Sequence, residues 1–307
     1  MPSISIVTPS YNQAAYLEAT LRSVLAQGVP VEYLVVDGGS TDGSVDIIKK
    51  YADQLAWWVS EKDAGQADAI NKGLRRANGE IVAWLNSDDI YLPGVLQAAR
   101  EAFAAHPQAG MVFGNVASID AQGRTFNLQT FRPMALPDLM SFTIISQPAV
   151  FMRRNVLEQA GYLDPSYHLL LDHHLWIRMA RLAPLVYLPQ TLAAARYHAE
   201  AKNIARAAQF GAEAYRIVDW LQTDPAFAEA FRTHRRRIWA GAHRLNAFYL
   251  TDGDRPAAAL AAYARALAAH PPTALRDWRH ILLAVLHLFR LGRLKDLYTA
   301  LRRRQYR

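Results

Sequence analysis

Two adjacent carboxylates, Asp88 and Asp89, close the segment WLNSDD at residues 84–89. Carboxylates this close repel each other unless one stays protonated or a cation offsets their charge. Mg²⁺ and Mn²⁺ prefer oxygen ligands and commonly bind through one or two carboxylates plus substrate phosphates. The pair therefore predicts a metal site at Asp88 that holds a diphosphate as a leaving group. For Asp89 we expect a cap on a helix that begins near Tyr91 and Pro93.

A second acidic cluster follows another apolar run, in VVDGGSTDGS at residues 35–44. Asp37 lies at the exit of a predicted strand, where a buried carboxylate needs a partner, and this favours a functional role. Asp42 instead suits a turn or a helix cap. GxGxxG does not follow the first predicted strand, and GxxxxGK[ST] is absent. These absences disfavour a nicotinamide or flavin enzyme and a P-loop kinase or ATPase.

Strands and helices alternate in the part of the chain that carries these clusters. Apolar, β-branched runs predict strands and helical spacing predicts helices. The strands are expected at residues 4–10, 31–39, 55–63 and 79–85, and the helices at 14–27, 44–51 and 66–77. Such alternation predicts an α/β fold with a mainly parallel sheet that has helices on both faces. Polar residues follow each strand, so we expect them to line one crevice beyond the carboxyl ends.

The second half of the chain changes character. MVFGNVASID and PAVFMRR predict further strands, and from about residue 199 the pattern is helical. Residues 1–231 contain 18 Lys and Arg against 23 Asp and Glu, a net charge of −5. From Arg232 onward there are 16 against 4, a net charge of +12. This basic region is expected to bind anionic lipid or phosphate-bearing substrates, or else to form a solvated helical face.

Composition narrows the class of protein further. The chain has no cysteine, which excludes disulfides and thiolate metal sites. No secretory signal is recognised at the N-terminus, and the longest apolar run, residues 281–289, is too short to span a bilayer. We therefore expect a cytoplasmic protein, peripheral at the inner face of the membrane if the basic C-terminal helices bind lipid. No nucleic-acid partner is predicted.

Five segments together resemble a known family. TPSYNQ, VVDGGSTDGS, SEKDAGQADAINKGL, GEIVAWLNSDD and ISQPAVFMRR occur in the order found in glycosyltransferase family 2. The resemblance covers roughly residues 1–200. It implies an inverting enzyme with the GT-A fold, a nucleotide-diphosphate-sugar donor and a divalent cation, Mn²⁺ or Mg²⁺. The domains expected are a GT-A catalytic domain at 1–200 and a basic α-helical region at 201–307.

The resemblance places several residues on the nucleotide sugar. Asp37 matches an acid that contacts the base or ribose, and Gly38 stands where many relatives have a second acid. Asn86-Ser87-Asp88 occupies the family's Asp-x-Asp motif with an asparagine first, so Asp88 is the main expected protein ligand for the metal. The expected donor-binding residues are Pro9, Tyr11, Asp37, Glu61, Asp63, Asn71 and Asn86.

A late loop, RYHAEAKN, resembles the family segment in which a histidine reaches the metal or the diphosphate. His198 holds that position, and neutral imidazole is a competent ligand for Mn²⁺. A surface histidine on a loop is the alternative. Arg196 and Lys202 are expected to offset phosphate charge.

HLLLDHHLWIRMA resembles the family stretch whose acid takes the proton from the acceptor, and Asp172 holds that position. An inverting transfer needs such a base. The alternative role of Asp172 is an N-cap. His173 and His174 are expected to pack or orient. Trp176 is expected in the core, with stacking on an acceptor sugar as the alternative.

Taken together, the sequence predicts an inverting glycosyltransferase that uses a UDP-sugar, with GDP- and dTDP-sugars as alternatives. The acceptor expected is a glycan or a lipid-linked intermediate of surface-polysaccharide synthesis. Leu291, Leu294, Leu297 and Leu301 fall near one helical face among basic residues, which suits a membrane contact; a helix packed on the catalytic domain is the alternative. The alternative functions are a sugar nucleotidyltransferase and a non-catalytic nucleotide-sugar-binding protein.

Overall fold

The computed structural model describes residues 1–198 and 206–289. The chain divides into two compact units. The sheet unit comprises residues 1–135 and 145–196, and the helical unit comprises residues 136–144 together with those from 197 onward. The division therefore follows Arg196 instead of residue 200. The inclusion of residues 136–144 in the helical unit has no counterpart in the sequence prediction.

Within the described residues, nine strands form one mixed sheet. The strands are β1 (Ile4–Ser10), β2 (Glu32–Asp37), β3 (Trp57–Ser60), β4 (Ile81–Trp84), β5 (Ile90–Tyr91), β6 (Met111–Asp120), β7 (Thr125–Gln129), β8 (Val150–Arg153) and β9 (Leu185–Tyr197). Their order is β3-β2-β1-β4-β8-β6-β9-β5, and β7 pairs with β6. The first four strands pair in parallel, as predicted. β8 then pairs antiparallel with β4 and β6, and β5 with β9.

Helices connect the strands of the sheet unit. They are α1 (Ala14–Leu25), α2 (Ser44–Lys50), α3 (Gln66–Arg76), α4 (Val95–Ala105), α6 (Arg154–Ala160) and α7 (Leu171–Leu182); α5 (Leu136–Met140) belongs to the helical unit. Successive side chains of β1 face opposite ways. Ile6 belongs to a core cluster with Leu17 and Leu21 of α1. Val7 meets α3 on the other face, where a Cβ at Gly73 would collide with it. Helices therefore cover both faces of the sheet.

The described part of the helical unit also contains five further helices of 4 to 25 residues. They are α8 (Phe210–Thr223), α9 (Ala228–Asp252), α10 (Pro256–Ala269), α11 (Pro271–Ala274) and α12 (Trp278–Leu288). Pro256 begins α10, where its missing N–H has no intrahelical partner to lose. Arg244 of α9 binds both carboxylate oxygens of Asp277 at 3.0 Å, which ties α9 to the turn before α12. Within the described part of the chain, no helix is both long and apolar enough to cross a membrane.

Candidate active site

The carboxyl ends of three neighbouring strands lie side by side, as predicted from their polar endings. In the parallel register, Ser10 of β1 pairs with Asp37 of β2, and Asp37 pairs with Ser60 of β3. β4 continues the row, because the N–H of Leu85 donates to the carbonyl of Val7 at 2.9 Å. The loops that follow these strands therefore begin at one edge of the sheet.

The loops after β1 and β2 are joined to each other. Asn12, with φ of 51°, donates its N–H to Ser40 Oγ at 2.8 Å. Its side-chain oxygen accepts the N–H of Thr41 at 2.9 Å. Pro9 is buried within β1, and the ring of Tyr11 is 62% exposed beyond the strand. Pairing of the two loops fixes the backbone around both residues, and their contacts with a nucleoside stay a prediction.

Asp42 has the structural role expected of it. Its carboxylate accepts the N–H of Ala14 at 2.8 Å, at the start of α1, and the N–H and hydroxyl of Ser44, at the start of α2. Burial opposes ionisation here, but the hydrogen bonds from Ser44 and Ala14 outweigh it and lower the pKa of Asp42. Gln13 and Gly43 are the N-cap residues of α1 and α2, and Asp42 binds the N–H of the first residue of each helix, where the helix dipole favours negative charge.

Asp37 is fully buried at the end of β2, and its partners come from the protein itself. Its carboxylate accepts the N–H groups of Gly39 and Ser40 at 3.1 and 2.9 Å. The hydroxyls of Ser40 and Ser60 donate to it at 2.5 and 2.7 Å. These bonds compensate the burial of a charge and order the turn after β2. Contact of Asp37 with a base or ribose stays a prediction.

Gly38 lies against another predicted donor-binding residue. A Cβ at Gly38 would lie 2.5 Å from Oδ2 of Asp63, whose Oδ1 accepts the N–H of Gly65 at 2.8 Å. A carboxylate therefore stands beside the position where many relatives have their second acid. Glu61, the other expected residue of this loop, is exposed and forms an ion pair with Lys72.

Asn86 lies in a network of amides at the tip of β4. Its side-chain oxygen accepts from Gln66 Nε2 at 2.9 Å, and its nitrogen donates to Gln147 Oε1 at 3.2 Å. Gln147 in turn donates to the carbonyl of Trp84 at 2.8 Å. Elements far apart in the sequence thereby hold Asn86 in one orientation, and its contact with the sugar stays a prediction.

Asp89 does not cap a helix, so that prediction is wrong. α4 begins at Val95, after Gly94, and residues 90–91 pair with β9 instead. The carboxylate of Asp89 is buried and accepts the main-chain N–H of Arg196 at 2.9 Å. Burial, and after it the charge of Asp88, raises the pKa of Asp89 well above its usual range. Negative charge is therefore costly at this loop.

Arg196 fastens the same loop through its side chain. Its Nε donates to the carbonyl of Asp88 at 2.9 Å, and its Nη1 donates to the carbonyls of Asp120 and Ala121 at 3.1 and 3.2 Å. The guanidinium lies over the ring of Tyr16 at 4.9 Å, and Arg196 is only 8% exposed. These contacts give Arg196 a structural role at this loop, and its action on phosphate charge stays a prediction. Lys202, assigned the same role, lies outside the described residues.

The donor set fits a hard divalent cation bound mainly by substrate. Within the described residues, no group of three or more His, Asp or Glu is arranged to hold a metal, which argues against an all-protein cage. Asp88 is half-buried, and its main chain is fixed by Arg196. Asp88 lies next to Asp89, whose ionisation is disfavoured by burial and by the charge of Asp88. Such a site suits Mg²⁺ or Mn²⁺, which commonly bind through one or two carboxylates together with substrate phosphates. His198 directly follows β9 and is buried, and its binding to a metal stays a prediction.

Asp172 lies in the first turn of α7, two residues after the N-cap Leu170, so it is not the cap. Its Oδ1 accepts the N–H of His173 at 2.7 Å, and the carboxylate is favoured there by the helix dipole. One turn further along α7, Trp176 stacks on Trp84 of β4 with ring centroids 5.2 Å apart. The stack attaches the helix that carries Asp172 to the strand that leads to Asp88.

The tryptophan and the two histidines of α7 are all buried packing residues. Trp176 is fully buried, which excludes the alternative of stacking on an acceptor sugar. His173 and His174 are also buried, and the ring of His174 stacks on Tyr167 at 4.3 Å.

Asn71 is buried inside α3 and serves as a clamp on the chain before α7. Its Nδ2 donates to the carbonyl of Leu163 at 2.8 Å, and its Oδ1 accepts the N–H of Leu163 at 3.0 Å. The amide therefore satisfies both main-chain groups of one residue 92 positions away. Its contact with a nucleotide sugar stays a prediction.

Sequence reasoning did not assign roles to the residues that hold the Asn86–Asp89 loop. Thr20 of α1 donates its hydroxyl to the carbonyls of Ser87 and Asp89, at 2.9 and 2.7 Å. Gln66 and Gln147 hold Asn86. Both glutamines lie in quoted motifs, DAGQADA and ISQPAV, so a search for amide side chains near strand ends could have found them.

Comparisons with known proteins place the chain among glycosyltransferases. The profile described as Glycosyl transferase family 2 matches residues 5–161, slightly more than half of the chain. An uncharacterised glycosyltransferase of Nostoc sp. is 32% identical over 209 residues, which cover 64% of this chain and 65% of the relative. TuaG of Bacillus subtilis, assigned to teichuronic acid biosynthesis, is 32% identical over 59% of this chain and 73% of its own length. The chain thus spans less than two thirds of the length of the Nostoc relative.

Solved structures show the fold. Staphylococcus aureus TarS (residues 1–349) in complex with UDP-GlcNAc superposes with a TM-score of 0.60 and 18% identity, over 90% of this chain and 91% of that one. The mannosyltransferase PcManGT of Pyrobaculum calidifontis, in complex with GDP-Man and Mn²⁺, gives a TM-score of 0.61 and 23% identity, over 94% and 87%. The predicted GT-A fold with a helical C-terminal region is confirmed. The profile match at residues 5–161 contains most of β1, all of β2 to β4 and the loops that follow these strands. Because it covers more than half of the chain, the chain belongs to glycosyltransferase family 2.

Proposed function

We propose that this protein transfers a sugar, with inversion, from a nucleotide-diphosphate sugar to a hydroxyl group of a glycan or lipid-linked acceptor in surface-polysaccharide synthesis. A UDP-sugar is the first donor to test, because TarS was solved with UDP-GlcNAc, and a GDP-sugar is the second, because PcManGT was solved with GDP-Man. The assignment of TuaG to teichuronic acid biosynthesis supports a surface polymer as the acceptor.

The loop after β4 holds the donor diphosphate in this proposal. Asp88 is the main protein ligand for Mn²⁺ or Mg²⁺, and His198 is a second candidate. A bound cation would neutralise the diphosphate and stabilise it as a leaving group. Arg196 keeps the main chain of Asp88 in place through its 2.9 Å bond to the carbonyl. Support for the cation comes from the two adjacent carboxylates of this loop, where burial, and after it the charge of Asp88, raises the pKa of Asp89.

Asp172 acts as the base. Its carboxylate removes the proton of the acceptor hydroxyl as that oxygen attacks the anomeric carbon from the face opposite the diphosphate. The bond between the anomeric carbon and the diphosphate oxygen breaks, and its electron pair leaves with the nucleotide diphosphate. A carboxylate in the first turn of a helix suits this task because the helix dipole favours its charged form.

The stacking of Trp84 on Trp176 is the observation that carries the proposal. Trp84 precedes Asp88 by four residues, and Trp176 follows Asp172 by four residues, one helical turn. A centroid distance of 5.2 Å between two buried rings fixes strand and helix against each other. Donor and acceptor groups bound at the two carboxylates would therefore be held in one orientation, which is what a group transfer needs.

Two isosteric variants separate the roles. Asp88→Asn should abolish both the Mn²⁺-dependent stabilisation of the protein by nucleotide sugar and the release of nucleotide diphosphate. Asp172→Asn should keep the donor-induced rise in melting temperature and lose transfer by about 10²-fold or more. Asp46→Asn, on the exposed face of α2, is the control and should leave both unchanged. Full transfer activity in Asp172→Asn would refute the role of the base, and donor binding without Asp88 would refute the metal site.

We also propose that the basic C-terminal helices bring the enzyme to the inner face of the membrane. The net charge of +12 from Arg232 onward supports attraction to anionic lipid. The enzyme would then encounter a lipid-linked acceptor at the membrane surface that holds this acceptor.

A further inference from the structure

The last described helix, α12, packs on the helical unit through one face. Ala284 is fully buried there, and Ile281 packs against a cluster that includes Ala247. The ring of His280 stacks on Phe248 at 4.0 Å. Residues 280 and 281 lie four and three positions before residue 284, so both are neighbours of Ala284 on the helix surface.

The opposite face of α12 exposes a row of large apolar side chains. Trp278 is 56% exposed, Leu282 is 51% exposed and Phe289, directly after the helix, is 67% exposed. Spacings of four and seven residues place them on one side, and Leu275 (53% exposed) precedes them by three residues. We call these four residues the α12 stripe. Single exposed apolar residues are ordinary, but a contiguous row of this kind marks an interaction surface.

Exposed positive charge accompanies the α12 stripe. Arg276 and Arg279 are exposed, and the Arg279 guanidinium lies 5.3 Å from the centre of the Trp278 ring. The acids of this region have partners within the unit: Asp277 forms an ion pair with Arg244 at 3.0 Å, Asp252 lies 3.7 Å from the His280 ring, and Asp254 lies 3.7 Å from the His287 ring. Residues 290–307 add seven Lys and Arg against one Asp.

We propose that the α12 stripe is the surface through which this protein binds anionic lipid bilayers. Its Trp, Leu and Phe side chains would enter the boundary between headgroups and acyl chains, and Arg276 and Arg279 would bind lipid phosphates. Aromatic and aliphatic residues on one helical face with arginines beside them are typical of helices that lie in the membrane interface. The inference deepens the membrane contact proposed above and is independent of the transfer chemistry.

The positive charge beside the α12 stripe favours an anionic bilayer over a second copy of the chain as the partner of this surface. A second copy docked by the same face would bring its arginines against Arg276 and Arg279, and like charges at an interface disfavour it. Residues 290–307, in which Leu291, Leu294, Leu297 and Leu301 were expected to face a membrane, lie outside the described residues and carry further positive charge. An anionic bilayer complements both the apolar row and the charge.

Co-sedimentation of the full chain with vesicles tests the proposal. Vesicles of phosphatidylcholine alone are compared with vesicles that also contain phosphatidylglycerol, at low and high salt. We expect binding to the anionic vesicles, weakened by salt, and a loss of about tenfold or more in Trp278→Ser/Leu282→Ser and in Arg279→Glu. The controls are Leu128→Ser, an exposed apolar residue of β7, and Lys49→Glu, an exposed lysine of α2, and both should bind as the wild type does.

Three results would overturn the inference. The first is that the wild-type protein does not sediment with anionic vesicles. The second is that Trp278→Ser/Leu282→Ser, with a wild-type melting curve, binds these vesicles as the wild type does. A wild-type dimer that becomes a monomer in that variant would identify the stripe as a contact between copies. Donor hydrolysis in the absence of vesicles, measured on the same preparations, should be unchanged in the stripe variants, so failure of lipid binding and failure of the transferase proposal are distinguishable.

Discussion

Replacement of Asn71 by alanine tests whether this residue is a clamp, a donor ligand or both. The buried amide makes bonds of 2.8 and 3.0 Å to the carbonyl and N–H of Leu163, which is itself 2% exposed. Alanine leaves both main-chain groups buried without these partners, and each such group costs about 1–3 kcal/mol. We therefore expect Asn71→Ala to lower the free energy of unfolding by about 2–6 kcal/mol.

Urea unfolding followed by far-UV circular dichroism measures the loss, with Gln108→Ala, an exposed amide, as the control. Asn71→Asp is the matched variant, because it keeps an acceptor for the Leu163 N–H but sets a carboxylate oxygen against the Leu163 carbonyl. It should be destabilised as well. An Asn71→Ala protein that unfolds within about 0.5 kcal/mol of the wild type, yet binds nucleotide sugar less tightly, would refute the clamp and favour a direct donor contact.

Three further perturbations follow from the same site. Arg196→Met should destabilise the protein by about 3 kcal/mol or more, because three carbonyls lose a buried charged donor, and an unchanged urea midpoint would contradict this. Asp42→Ala should cost about 1 kcal/mol at neutral pH, as lost helix caps do. Because the folded-state pKa of Asp42 is lowered, its contribution is present above the ordinary Asp value of about 3.9 and fades as pH falls through the folded value, so the gap in melting temperature from wild type should shrink in acid. Gly38→Ala should displace the Asp63 carboxylate, which lies 2.5 Å from the new Cβ, and weaken donor binding in a thermal-shift titration with little loss of stability; unaltered donor affinity would argue against a role for this pair.

The strands and their functional ends were predictable because their signals are local. Apolar runs that end in polar clusters predicted strands at 4–10, 31–39 and 55–63 with their polar ends at one crevice; the strands end at Ser10, Asp37 and Ser60, which the parallel register brings together. The structural role of Asp42 was predictable for the same reason, since its partner Ser44 is two residues away.

The connections that hold the loop after β4 were not predictable, because they span the chain. The hydrogen bond from Arg196 to Asp89 joins residues 107 positions apart in the sequence, and the one from Asn86 to Gln147 joins residues 61 positions apart. The wrong prediction for Asp89 has the same origin. Its local context, an aspartate before Tyr91 and Pro93, suits a helix cap, but pairing of β5 with β9 takes residues 90–91 into the sheet. Tertiary pairing therefore outweighed a local preference.

The contact between Trp84 and Trp176 has a consequence for engineering. Both rings are hidden from solvent and neither is placed to touch a substrate, so the spacing between the strand tip and α7 is independent of the loops that surround it. Tyr11 and Glu61 are exposed residues of the loops after β1 and β3, and under the proposed donor contacts they are the positions to exchange in a search for new donors while that spacing is kept. Shrinking either indole would shift the two carboxylates relative to each other, and a library built here should leave both tryptophans untouched.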